Sequence, residues 1–176
     1  MGWYYDYGAS KADTIKTVTK DWDNKNGSKG RCLAKCLRGN VLWTVFEVTD
    51  PDGQPHRHIG CYLLQSYEGD WGYKPMDESV GPFYYSCPLS YLDMVPVANE
   101  DWRESVRKYH SKETDGRNIV RNLNIGDTVA LREGFRPNKF RLVSKKPLLG
   151  IGPDGRTYKL RTKTIDADET KRLKVD

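Results

Sequence analysis

Residues 41–49 read VLWTVFEVT. The run is rich in β-branched and aromatic residues, the types that fit a pleated, half-buried surface. Side chains alternate faces along a strand, so its apolar residues fall on both faces. A strand that is apolar on both faces predicts a central place in a sheet covered by helices. Turn signals bracket it. Gly39-Asn40 precedes it as a two-residue hairpin turn. Asp50-Pro51-Asp52-Gly53 follows, with proline fixing φ and glycine supplying φ > 0. Residues 31–37 then read as the preceding strand of a meander and residues 58–67 (HIGCYLLQSY) as the next. The expected fold class is α+β: an antiparallel sheet of three or four strands with packed helices, followed by a small basic β-barrel-like C-terminal module.

Working outward, Ser10 and Asp13 have capping-box spacing, and Ile15, Val18 and Trp22 recur at three and four. A helix over 11–22 is predicted. Trp3, Tyr4, Tyr5 and Tyr7 read as a short strand, and the Gly/Asn-rich segment 23–30 as a loop. Residues 88–94 (PLSYLDM) predict a short helix ended by Pro96. Asn99 caps a further helix from 100 to about 110, with Trp102, Val106 and Tyr109 on one stripe. The polar SKETDGR at 111–117 reads as a linker. The domains expected are therefore 1–112, an aromatic-rich α+β body, and 118–176, the small basic module. In the latter, short strands at 127–133, 139–144, 148–151 and 157–162 are punctuated by turns, the pattern of a small barrel or curled sheet. Leu-Asn-Ile-Gly-Asp at 123–127 resembles the first strand of small barrels such as Src-homology and ribosomal-protein barrels, a likeness of fold alone.

The chain of 176 residues, 37% hydrophobic and 30% charged, fits one large or two small globular domains. It has no run of eighteen apolar residues, so no membrane span or membrane partner is expected. MGWYYDYGASK lacks a secretory signal, and Trp3-Tyr4 after Gly2 does not suit myristoylation. The expected location is the cytoplasm. Cys32, Cys36, Cys61 and Cys87 lack Cys-x-x-Cys spacing. Cys32 and Cys36, at even spacing on a strand, are expected on one face in the core. His56 and His58 before Cys61 make a ligand-like cluster, but a His-x-His beside a turn is read as solvated. No metal, cofactor or disulfide is expected.

Charge is unevenly spread. Residues 117–176 hold fifteen Lys/Arg against seven Asp/Glu, whereas residues 1–116 hold fourteen against seventeen. A basic module attracts polyanions. Lys139, Arg141, Lys145, Lys146, Arg156, Lys159, Arg161 and Lys163 alternate with apolar residues along the predicted strands. Lys139 shares a face with Arg141, and Lys159 with Arg161, so a basic stripe for phosphates is expected. Phe135, Phe140 and Tyr158 add stacking surface.

Residues 71–88, WGYKPMDESVGPFYYSCP, hold the other candidates. Trp71, Tyr73 and Lys74 form a second, aromatic surface where stacking and a phosphate contact coexist. Phe83, Tyr84 and Tyr85 are expected mostly in the core. Asp77 and Glu78 are the acid–base candidates of a hydrolase or nuclease, with His58, Asp93 or His110 as partner. Adjacent residues on a strand point apart, and no nucleophile elbow, Ser-His-Asp pattern or phosphate-binding glycine loop is present. No catalytic residues are assigned.

GWYYDYGASKADTI, RGNVLWTVFEV, IGCYLLQ, WGYKPMDES and YYSCPLSYLDMVP together resemble an uncharacterised family of proteins carried by phages, plasmids and other mobile elements, most clearly over residues 2–110. The resemblance carries no catalytic residues. It implies a bacterial or phage cytoplasm and an accessory role. Joined to the charge split, the expected function is non-catalytic: binding of nucleic acid, DNA or RNA, through the basic module, on a nucleic-acid-bound host complex. The alternative is a protein-binding inhibitor of a host defence system such as CRISPR or restriction; the third is the metal-dependent hydrolase.

Overall fold

In the computed structural model, which describes residues 2–132 and 134–175, the run VLWTVFEVT is strand β4 (Val41–Thr49). It lies inside a six-stranded antiparallel sheet. The neighbours are β3 (Lys29–Arg38), β5 (Pro55–Tyr67) and β6 (Asp70–Asp77), with two-residue strands β1 (Tyr4–Tyr5) and β2 (Trp22–Asp23) at the edges. The spatial order is β1-β6-β5-β4-β3-β2. Very short edge strands leave little unpaired backbone to template aggregation.

Both faces of β4 are buried, as its composition demands. Trp43 and Val45 join Ile59 and Cys61 of β5 in one cluster. It is closed by α2 (Leu89–Met94) through Tyr91 and Leu92, and by Trp102 and Val106 from the start of α3 (Glu100–Asn122). Leu42 packs on the other face with Leu64 and with Val18 of α1 (Lys11–Val18). The capping box forms: Ser10 Oγ accepts from the Asp13 N–H, and the Asp13 carboxylate accepts from the Ser10 N–H. Asn99 caps α3, its side-chain oxygen accepting from the Trp102 N–H at 3.0 Å.

Several expectations are corrected. Helix α1 stops at Val18, because Trp22 is drawn into β2, where its ring covers Gly30; a Cβ there would meet the indole at 2.2 Å. The stretch 71–77 is the strand β6, with Tyr73 opposite Leu64 in β5 and Tyr4 in β1. A bulge between Cys32 and Ala34 shifts the register of β3. Cys32 pairs with Phe46 and Cys36 with Trp43, so these cysteines face opposite sides of the sheet. The segment 111–117 is helical, being the middle of α3.

Two compact units divide the chain, Met1–Arg107 and Lys108–Asp176. The second holds the rest of α3, a four-stranded antiparallel sheet and α4 (Ala167–Val175). The sheet order is β10-β9-β8-β7, from β7 (Thr128–Ala130), β8 (Lys139–Lys145), β9 (Leu148–Ile151) and β10 (Thr157–Lys159). After β10 a 3-10 turn (Thr162–Thr164) carries the chain to the free edge of β7. There the Arg132 N–H donates to the Thr164 carbonyl and the Asp166 N–H to the Ala130 carbonyl, both at 2.9 Å. Val120 of α3 and Leu123 just beyond its end complete a core with Val129, Phe140, Leu142 and Ile165.

Candidate nucleic-acid interface

Alternation along β8 and β10 sets where the cations point. Phe140, Leu142 and Leu160 are buried, so Lys139, Arg141, Lys159 and Arg161 are exposed. Cross-strand pairing then aligns Arg141 with Ile151 and Thr157 on the outer face. The eight predicted basic residues nevertheless do not form one stripe. Lys139 is paired with Glu169 of α4 at 3.4 Å. Lys145 donates to the Arg121 carbonyl at 3.1 Å, and Arg156 lies 3.9 Å from Asp154. Lys146 is exposed in the turn before β9.

Lys159, Arg161 and Lys163 do come together, around a groove of about 460 Å³. Its opposite wall is the loop from β7 to β8, which brings Phe135, Arg136 and Pro137. Arg136 lies between predicted strands and was not among the expected contacts. The signal available was a cation beside an apolar residue in a Gly/Pro/Asn loop, GFRPN. Leu131, Phe140 and Leu160 form an apolar floor, and no carboxylate lines the groove among the described residues.

The aromatic wall is held in place. Tyr158 packs edge-on against Phe140, with ring centroids 5.3 Å apart, and its hydroxyl donates to Asp154 at 2.6 Å. That bond and the Arg156 N–H hold the Asp154 carboxyl below the usual carboxylate range, while the same carboxylate raises the Tyr158 phenol. Gly152 gives the ring room: a Cβ there would lie 3.0 Å from it. Lys163 sits over the Tyr109 ring, 5.6 Å from its centroid. A second cleft in this unit, about 630 Å³, is lined by Lys112, Arg132 and Lys171 against Asp115, Asp166 and Asp168. Its charges offset one another, so it has no sign preference for a polyanion.

In the N-terminal unit the expected surface of Trp71, Tyr73 and Lys74 is not assembled. Trp71 and Tyr73 are half-buried on the α1 side, with the Lys11 ammonium 5.1 Å from the Trp71 ring centroid. Lys74 pairs with Leu63 and therefore faces the other way. Among the aromatics this unit exposes, Trp3, Tyr5 and Tyr67 lie in a row, with successive ring centroids about 6 Å apart. Tyr5 lies on Gly72, where a Cβ would sit 2.5 Å from its ring. Of Phe83, Tyr84 and Tyr85, expected mostly in the core, Phe83 is 89% exposed and Tyr84 is exposed as well. Tyr85 is half-buried against the main core.

Asp77 and Glu78 are committed to structure. Asp77 caps the 3-10 turn Glu78–Val80, accepting from the Ser79 N–H at 2.9 Å and from the Ser79 hydroxyl. Glu78 is 2% exposed and meets Arg103, 3% exposed, in a two-point ion pair, with the second contact at 2.8 Å. Glu78 also accepts from the Ala98 and Asn99 N–H groups. Arg103 donates to the carbonyls of Leu92, Val95 and Pro96. Every polar atom of the pair is thus occupied in tying the 78–99 segment to α3. Among the described residues no three His, Cys, Asp or Glu side chains converge as a metal site, and no helix is long and apolar enough to cross a membrane.

Comparison of the chain with protein-family models, with curated proteins and with solved structures returned no match.

Proposed function

We infer that the protein binds nucleic acid through its C-terminal unit, which serves as a basic, barrel-like module. The observation that carries this reading is the groove flanked by Arg136, Lys159, Arg161 and Lys163 over an aromatic and aliphatic floor. Cations at the rim neutralise phosphates and release counterions. The exposed Phe135 ring beside them offers a face that stacks on bases without regard to sequence. The charge excess of residues 117–176 adds long-range attraction. The reading is non-catalytic, and the carboxylates best placed for acid–base work, Asp77 and Glu78, are already engaged. It fits an accessory protein of a mobile element that grips a nucleic-acid-bound host complex.

The test is fluorescence anisotropy with labelled oligonucleotides at low salt, comparing wild type with Arg136→Glu/Lys159→Glu/Arg161→Glu. All three side chains are exposed, so the variant is expected to fold. Wild-type binding in the micromolar range or tighter, reduced at least tenfold in the variant, supports the reading. No binding by folded wild type at low salt rejects it.

One observation favours a second reading, inhibition of a host defence protein by direct docking. Phe83, 89% exposed, follows the 3-10 turn whose last residue, Val80, is also exposed, and a solvated aromatic ring can anchor in a partner's pocket. Capture of one host protein by wild type, lost in Phe83→Ala while oligonucleotide binding is absent, would support it.

A further inference from the structure

We propose that the groove between the β7–β8 loop and residues 159–164 captures one unpaired nucleobase, so that the protein selects single-stranded over duplex nucleic acid. The proposal deepens the nucleic-acid reading above and rests on it.

The first ground is the fixed aromatic wall. Tyr158 is locked by its bond to Asp154 and by its edge contact with Phe140. The groove therefore keeps its shape, and a flat ring can enter without reorganising it. The second ground is Phe135, an apolar ring left 44% exposed at the groove mouth although Leu131 and Phe140 nearby are buried. Its free face offers stacking. In a duplex each base has its faces covered by neighbouring pairs, so only an unpaired base can use that face.

The third ground is spacing. Lys159 and Arg161 are two residues apart on extended backbone, about 6.6 Å along the chain, comparable to the phosphate repeat of a stretched single strand. Lys163 lines the same groove from the 3-10 turn. The volume, about 460 Å³, lies within the range of small-ligand pockets and suits one nucleotide. It is a pocket rather than a flat basic face, which is what a rigid double helix would need.

The experiment compares four labelled 12-mers at one salt concentration: oligo-dT, oligo-rU, a mixed-sequence DNA duplex, and an abasic strand with the same phosphates and no bases. The expected result is that the base-bearing single strands bind about tenfold tighter than duplex and abasic strand. Phe135→Ala is expected to lose that advantage while abasic binding stays unchanged, and Phe135→Trp to retain it. If duplex and abasic strand bind as tightly as oligo-dT and oligo-rU, or if Phe135→Ala weakens all four equally, base capture is overturned and the polyanion reading stands. If none of the four binds, both are overturned.

Discussion

At Glu78 and Arg103, two charges are almost wholly removed from water, and the desolvation is offset only because each polar atom has a partner. Removing one partner strands the other. Glu78→Gln is expected to destabilise the fold by about 3–5 kcal/mol, measured by urea unfolding, and Glu78→Met/Arg103→Met to recover much of that loss. A cost under about 1 kcal/mol for the single substitution would mean the pair carries no structural weight. His58 gives a pH signature. Burial lowers its pKa, with the Asp77 carboxylate pulling the other way and His56 adding a little to the depression. The unfolded chain then takes up a proton near pH 6.5 that the folded chain resists, so stability falls as the pH drops from 7 through 6 and the loss ends once folded His58 is itself protonated. His58→Gln should flatten that slope in denaturation curves at pH 7.5 and 5.5; an unchanged slope would contradict the assignment. Capping residues such as Ser10 and Asn99 are legible in sequence because donor and acceptor lie three residues apart. The partnership of Glu78 with Arg103 spans 25 residues and leaves no local pattern.

At the scale of elements, β4 is readable because hydrophobicity on both faces has one meaning, a covered central strand. Its neighbour β6 is not, because Gly72, Lys74 and Pro75 mask the alternation that a strand normally shows. What places β6 is pairing on both edges, with β5 and β1. Helix α3 is longer than its apolar stripe suggests, since its middle is polar and contains Gly116. That glycine marks a close approach. A Cβ there would lie 2.0 Å from the Thr162 carbonyl oxygen, so the helix backbone rests directly on the 3-10 turn. Gly to Ala in a helix ordinarily gains about 1 kcal/mol. Here Gly116→Ala is expected to lose about 1–3 kcal/mol through overpacking, seen as a lower urea midpoint, and a higher midpoint would refute the contact. The same substitution should shift the 3-10 turn that carries Lys163, weakening oligonucleotide binding alongside stability.

At the scale of the whole molecule, the charge asymmetry is the property the sequence states most openly, and it survives in the structure as a sheet with cations on its exposed positions. Which cations act together is not legible, because it depends on ion pairs such as Lys139 with Glu169 and on a loop that returns Arg136 to the side of Lys159 and Arg161. The contacts of Asp77 and Glu78 are hidden for a related reason: Glu78 is taken up by distant backbone donors and by Arg103, and Asp77 by its cap on Ser79. The C-terminal unit keeps a cationic groove over an apolar floor, and the polyanion binding proposed for it has a quantitative mark. Four rim cations engaging a single strand give a slope of log K against log salt of roughly −3. The deciding measurement is therefore a salt titration of oligo-dT binding by anisotropy, for wild type and for Arg136→Glu/Lys159→Glu/Arg161→Glu. A slope near −3 in the wild type that flattens toward zero in the variant is expected. Binding that ignores salt, or a slope equal in the two proteins, would contradict the groove as the interface.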